Sequence, residues 1–363
     1  MQQLVPSSAT RAAKLKREPC LGLVLGGLLG PVSVRPKRPR KGKLPSRRSS
    51  PSGDLNFWES RFWLSFFLVL MKALFVHAHF DDYEFSTAGT FEMWRRQLGD
   101  DFRARLIICT DGAAGHHRLS REETARVRLA EQLESAKLAQ CEIEPLLLPN
   151  GKAPREACLQ VDSDLLAALW KAIRDFEPDY LFAPPVPADS LAGLHIDHVA
   201  VAEAVRKVAY MINVPHAFTP EYPSVEAEPR PCKVPVILTA YDGYMFGANS
   251  YDLAVDVSAA FDLMVDMTWC HQSQVTEWLP WVGRHDMDVP KSKDEWRVTL
   301  EHRYTKRNRE LGLGGQPMVE VFGVTAWGEI PTIDQLKADL PNLITPAETE
   351  VRLAKRLAQW RGE

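Results

Sequence analysis

From residue 71 onward, short uninterrupted apolar runs alternate with longer stretches whose apolar positions recur every three to four residues. Ala73-Leu-Phe-Val-His77 is a run fit for a buried parallel strand, and Arg103–Cys109 reads as a second. Pro145–Leu148 reads as a short third strand, and Asp179–Ala183, closed by two prolines, as a fourth. Between them the spacing predicts helices over Glu84–Leu98, Arg121–Leu138, Asp162–Phe176 and His198–Tyr210. Such alternation implies parallel strands joined by right-handed crossovers. The expected fold is therefore α/β, a Rossmann-like, doubly wound, mostly parallel sheet with helices on both faces. Beyond Pro215 the rhythm changes. Strands are expected over Val234–Tyr241, Tyr251–Asp256 and Val319–Trp327, and helices over Ser258–Thr276, Asp334–Leu340 and Ala347–Trp360. Residues 280–318, rich in charge, glycine and aromatics, give no assignment.

Charge divides the chain differently. Residues 1–70 hold 13 Lys/Arg against three acids, which leaves 31 bases and 44 acids for 71–363, a body at −13. Such a body is a poor partner for nucleic-acid phosphates, so no nucleic-acid partner is expected. The segment 35–53, basic and rich in Pro and Ser, is expected to be disordered. The apolar run from Phe62 to Ala78 is interrupted by Lys72 and falls short of the roughly 20 residues a membrane span needs. The functional chain is expected to start at or near Met71, with 71–275 as the main domain and 276–363 as its C-terminal elaboration. The six cysteines are scattered with no C-x-x-C pair, which suits reduced thiols in a cytoplasmic protein.

Ligands of doubly wound sheets lie beyond the carboxyl ends of the strands, and ionisable residues gather there. His79-Phe80-Asp81-Asp82 follows the first strand, and His195-Ile196-Asp197-His198 opens a helix after the fourth. A tight turn brings His79 and Asp82 together, leaving Asp81 to point elsewhere. His195 and His198 share a helix face at i and i+3. Two imidazoles, one carboxylate and an open position suit a catalytic Zn²⁺ better than a closed structural site, although other divalent ions are possible. No G-x-G-x-x-G follows the first strand, which argues against nucleotide binding.

The segment Ala78-His-Phe-Asp-Asp-Tyr-Glu84 resembles the A-H-P-D-D-x-E signature of the LmbE-like (PIG-L) zinc deacetylases. Thr110-Asp-Gly112, Arg128-Leu-Ala-Glu131, His195-Ile-Asp-His198 and His271-Gln-Ser-Gln274 resemble further elements of that family, in the same order. The resemblance implies removal of an N-acetyl group from an N-acetylglucosamine-type or related N-acyl substrate, with one divalent metal. Carried over, it implies His79, Asp82 and His198 as zinc ligands and Asp81 as general base. It implies His195 as acid or oxyanion stabiliser, Asp197 as the residue orienting His195, and Arg128 as a substrate contact. Phe80 departs from the family's proline, which would stiffen the turn that splays the two aspartates. That departure is the best argument for the alternative, a non-catalytic binding protein with a degenerate site.

Overall fold

The computed structural model describes residues 70–225, 229–245, 247–283, 287–316 and 318–363. The expectations for residues 1–69 lie outside the described residues. The run after residue 70 forms β1 (Met71–His77), followed by α1 (Asp82–Ser86), α2 (Ala88–Leu98), β2 (Phe102–Ile108), α3 (Arg121–Ala139) and β3 (Glu142–Pro145). Next come α4 (Ser163–Phe176), β4 (Tyr180–Ala183), α5 (Ile196–Ala209), β5 (Val236–Ala240) and β6 (Leu253–Asp256). The chain continues through α6 (Phe261–Cys270), a π-helical turn (Ser273–Trp278), α7 (Leu279–Val282), α8 (Lys293–Glu310), β7 (Val319–Val324), α9 (Ile333–Asp339) and α10 (Ala347–Arg361).

The strands form one seven-stranded sheet in the order β3-β2-β1-β4-β5-β7-β6. The five strands from β3 to β5 are parallel, and β7 runs antiparallel to both β5 and β6. This is the expected doubly wound sheet with an antiparallel extension at one edge. Successive side chains of β1 point to opposite faces. Ala73 and Phe75 enter a core with Phe91, Trp94 and Phe182, while Leu74 and Val76 enter another with Ile107, Trp170 and Leu181. A strand covered on both faces has no polar positions to offer, which is why β1 reads as a continuous apolar run.

Three local differences from the sequence pattern have physical causes. The expected helix over 84–98 breaks at Thr87, and α2 starts afresh beyond it. Its N-terminus is served by a buried carboxylate from β7: Glu320 accepts from the Gly89 and Thr90 amides, each at 2.8 Å, and from the Thr90 hydroxyl at 2.7 Å. A Cβ at Gly89 would stand 2.6 Å from the Val257 side chain, so only glycine lets the helix approach this closely. The third strand lies at 142–145, earlier than expected. Residues 280–318, left without assignment, contain α8. Its inward residues Trp296, Leu300 and Tyr304 recur at i, i+4 and i+8 within an otherwise charged sequence, and Ser292 caps its start.

Candidate functional site

The four strands β1, β2, β4 and β5 end on one edge of the sheet, and their following loops surround a cavity of about 550 Å³. After β1 the chain must turn into α1 within four residues. It does so with Asp81 in the left-handed region at φ 83°, a conformation that Asp adopts more readily than most residues. The Asp81 amide donates to Gln132 on α3 at 2.9 Å. One Arg128 nitrogen, also on α3, donates to the Phe80 carbonyl at 2.5 Å and to Asp81 Oδ1 at 3.1 Å. The Phe80 ring is buried against Gly112, where a Cβ would lie 2.4 Å from it. The stiffness a proline would give this turn is thus replaced by ring packing and by the grip of Arg128 on the carbonyl.

The turn brings His79 and Asp82 together, with Nδ1 to Oδ2 at 3.4 Å. From the start of α5, His198 Nε2 comes within 3.0 Å of His79 Nδ1 and 3.4 Å of Asp82 Oδ1. Ligands about 2.0–2.1 Å from a tetrahedral zinc stand about 3.3 Å from one another, so the three expected donors have the spacing of a metal site. Their far sides are also arranged for it. His79 Nε2 meets Asp197 Oδ2 at 3.1 Å, and His198 Nδ1 meets Asp242 Oδ2 at 2.9 Å. A carboxylate behind each imidazole fixes which ring nitrogen faces the centre and makes it a better ligand. His195, at the N-cap of α5, completes a group with His79 and His198 whose ring nitrogens lie within 4.8 Å of one another.

Electrostatics follow from this crowding. Burial alone would lower the histidines. Asp82 and Asp197 nevertheless raise His79 to about 9, and Asp82 and Asp242 raise His198 to about 10. Despite its burial, Asp82 is held well below the carboxylate range by His77, His198 and His79. The site gathers negative charge that a cation satisfies. Burial pushes Asp81 up to about 6, against the pull of Arg128. Burial, together with the neighbouring His79 and His198, lowers His195 to about 4.

Two of the expected roles are redrawn by the contacts. The Asp197 carboxylate makes no hydrogen bond to His195: it meets His79 and accepts from the Ala157 and Leu159 amides at 2.7 and 3.2 Å. Only the Asp197 backbone amide reaches His195, donating to Nδ1 at 3.2 Å. Arg128 does border the cavity, but its guanidinium is committed to Asp81, Phe80 and, at 3.3 Å, Glu156. From the resembling 271–274 segment, Gln274 borders the cavity and donates to the Gly115 carbonyl at 3.0 Å.

Three functional neighbours escaped the sequence pattern. His77, the last residue of β1, meets Asp82 at 2.5 Å. Asp242 follows β5, and Glu156 follows β3. Each lies at or after a strand's carboxyl end, but none sits in a local cluster of ionisable residues that would single it out.

The sheet order and the His/Asp constellation at its carboxyl edge define an α/β protein with a candidate metal centre. More particularly, residues 74–209 match the family model PIG-L, described as GlcNAc-PI de-N-acetylase, so the family resemblance read from the motifs holds over that stretch. No curated protein matches the chain. Among solved structures, an N,N'-diacetylchitobiose deacetylase from Pyrococcus horikoshii is similar at 21% identity and a TM-score of 0.53, over 70% of this chain and 84% of that one. GalB, the 4-carboxy-2-hydroxymuconate hydratase from Pseudomonas putida KT2440, is similar at 13% identity and a TM-score of 0.50, over 70% of this chain and 95% of that one. These likenesses establish the fold. A hydratase on the same scaffold means that chemistry must be argued from the side chains.

Proposed function

We propose that the protein is a zinc-dependent N-deacetylase acting on an N-acetylglucosamine-type or related N-acyl substrate. The observation that carries this reading is the convergence of His79, Asp82 and His198 to 3.0–3.4 Å of one another on the floor of an open cavity. Those three residues would hold the metal. A bound Zn²⁺ polarises a carbonyl and lowers the pKa of water to about 7. The family match and the deacetylase among the fold neighbours support the same reading.

Asp81 is anchored beside the three donors without being one of them. With its affinity raised to about 6 it takes a proton from the attacking water near neutral pH. Its left-handed backbone and the grip of Arg128 hold the carboxylate in place for that transfer. His195 has a different task from that of an acid. Its Nδ1 accepts the Asp197 amide, so the neutral ring carries its proton on Nε2, the nitrogen left to face the cavity. At about 4 its proton affinity is too low for an imidazolium at neutral pH. His195 therefore donates a hydrogen bond to the developing oxyanion and stays neutral. The proton for the leaving amine comes back from Asp81. Phe80 no longer argues for a degenerate site, because its turn is braced by other means.

Metal analysis of the purified protein, followed by an acetate-release screen over N-acetyl sugars with and without chelator, tests the proposal. One zinc per chain and chelator-sensitive acetate release are expected. Stoichiometric metal with no acetate from any N-acetyl sugar would leave a binding protein instead.

A further inference from the structure

The cavity extends well past the histidines. Its far wall is α8, which contributes Leu300, Arg303, Tyr304, Lys306, Arg307 and Glu310. This helix lies outside the segment that matches the family model. Arg303 is half-buried there, and its guanidinium carbon lies 5.1 Å from the centre of the Phe85 ring. Among the described residues it has no ion pair and no hydrogen-bond acceptor.

That is unusual in this molecule, since buried cations are ordinarily paired. Arg128 has Asp81 and Glu156. Arg174 donates to the Ile212 and Arg230 carbonyls at 2.7 and 2.6 Å. Arg307 donates to the Val319 carbonyl, and Arg356 pairs with Asp252. None of the carboxylates around the candidate metal donors pairs directly with Arg303, since Asp82 and Asp242 face histidines and Asp81 pairs with Arg128; only the charge of Asp81 acts on it from a distance. Burial pulls the Arg303 guanidinium below its ordinary range. Lys306, one helical step along, is exposed at the same wall, and Glu310 is the single acid that α8 presents to the cavity.

Resting on the deacetylase reading, we propose that Arg303, supported by Lys306, binds an oxyanion on the part of the substrate remote from the acetamide. The preferred substrates are then N-acetyl compounds carrying a carboxylate or phosphate group, and Arg303 is a specificity-determining residue. A guanidinium with its donors free presents the planar fork that such groups accept in two parallel hydrogen bonds. The Phe85 ring beneath holds that fork in one plane. Tyr244 lines the same cavity and contacts His195 and His198 at ring distances of 5.2 and 5.4 Å, so one molecule can reach from the reacting end to α8.

The test uses the full, zinc-loaded chain and three matched probes: a benzyl N-acetylglucosaminide, its 4-carboxybenzyl analogue and its 4-phosphonobenzyl analogue. The wild type is expected to prefer at least one charged probe over the neutral one in kcat/KM. Arg303→Gln is expected to reduce that preference by about 10- to 100-fold, and Arg303→Lys by less. The two charged probes distinguish a carboxylate reader from a phosphate reader. Equal kcat/KM for all three probes in the wild type, or an undiminished preference in Arg303→Gln, overturns the proposal. Should none of the probes release acetate, the deacetylase reading fails by itself. Calorimetric binding of the same probes to wild type and Arg303→Gln then decides the oxyanion claim, and equal affinities overturn it. If Arg303→Gln does not fold, Arg303→Lys and Lys306→Gln carry the comparison, and an unchanged preference in both overturns it.

Discussion

Two buried histidine–carboxylate clusters flank the turn after β1, and they have opposite fates. The first, around His79, Asp82 and His198, leaves three donor atoms facing a cavity. The second joins Glu84, Gln132, Ser135 and His271, with Glu84 and His271 fully buried. Its single oxygen, Glu84 Oε1, accepts from Gln132 at 2.6 Å and Ser135 at 2.5 Å and faces His271 Nε2 at 3.3 Å. The chemistry of the two clusters is nearly the same. The first turns its ring nitrogens toward one another with carboxylates behind them, whereas the second points everything at one carboxylate oxygen. Imidazole and carboxylate become a reactive site only where convergence leaves an open face. Gln132 links the two, since its amide nitrogen serves Glu84 while its oxygen holds the Asp81 amide. The sealed cluster thereby braces the open one.

Substitutions of one residue type in the two clusters sharpen the contrast. The largest effect is expected from His198→Ala, which removes a donor: metal content and acetate release both vanish while the protein still folds. Retention of one metal per chain in that variant would dissolve the assigned centre. Asp81→Asn comes next, with kcat lower by about 10²–10⁴-fold and metal stoichiometry unchanged, as befits a proton carrier that is not a ligand. Near-wild-type turnover would remove Asp81 from the mechanism.

The smallest effect on activity, but one visible in stability, belongs to His271→Ala. Breaking a buried pair by removing one partner costs about 3–5 kcal/mol, measurable by urea unfolding, with metal stoichiometry retained. The pH dependence has a definite sign. Burial alone would lower His271, but Glu84 raises it above its ordinary 6.5. A raised folded-state affinity means that the stabilisation is fully present below pH 6.5 and fades as pH rises through the folded value. The gap between wild type and His271→Ala is therefore wider at pH 6 than at pH 9. A gap that does not narrow would show that His271 acts by packing alone.

How much of this was legible in the sequence depended on periodicity. β1 and β4 announce themselves as apolar runs because both sheet faces are covered, whereas β2 is apolar only in its second half, after Arg103 and Arg105. Of the two ionisable clusters, one directly follows β1 and the other opens α5 twelve residues beyond β4. The arrangement behind the candidate metal donors was less legible. Asp242 is a lone acid in a loop, and nothing nearby in sequence says that His198 waits across the cavity. The contacts of Asp197 were only half legible: adjacency along α5 suggested His195, which the Asp197 amide does reach, while the carboxylate meets His79. Helix α8 was hidden by its charge: of its eighteen residues four are apolar, and only three of those are buried, a narrow stripe. Their four-residue spacing and the Ser292-x-x-Glu295 start were present all the same.

That narrow stripe has a consequence for how such a protein changes over time. Trp296, Leu300 and Tyr304 anchor α8 to the interior, whereas Arg303, Lys306 and Glu310 occupy a separate row at i, i+3 and i+7. Substitutions along the second row leave the buried row in place. Under the proposed function they change which molecules the cavity accepts while His79, Asp82 and His198 keep their own contacts. A library randomised at those three positions is the natural place to begin redirecting the protein.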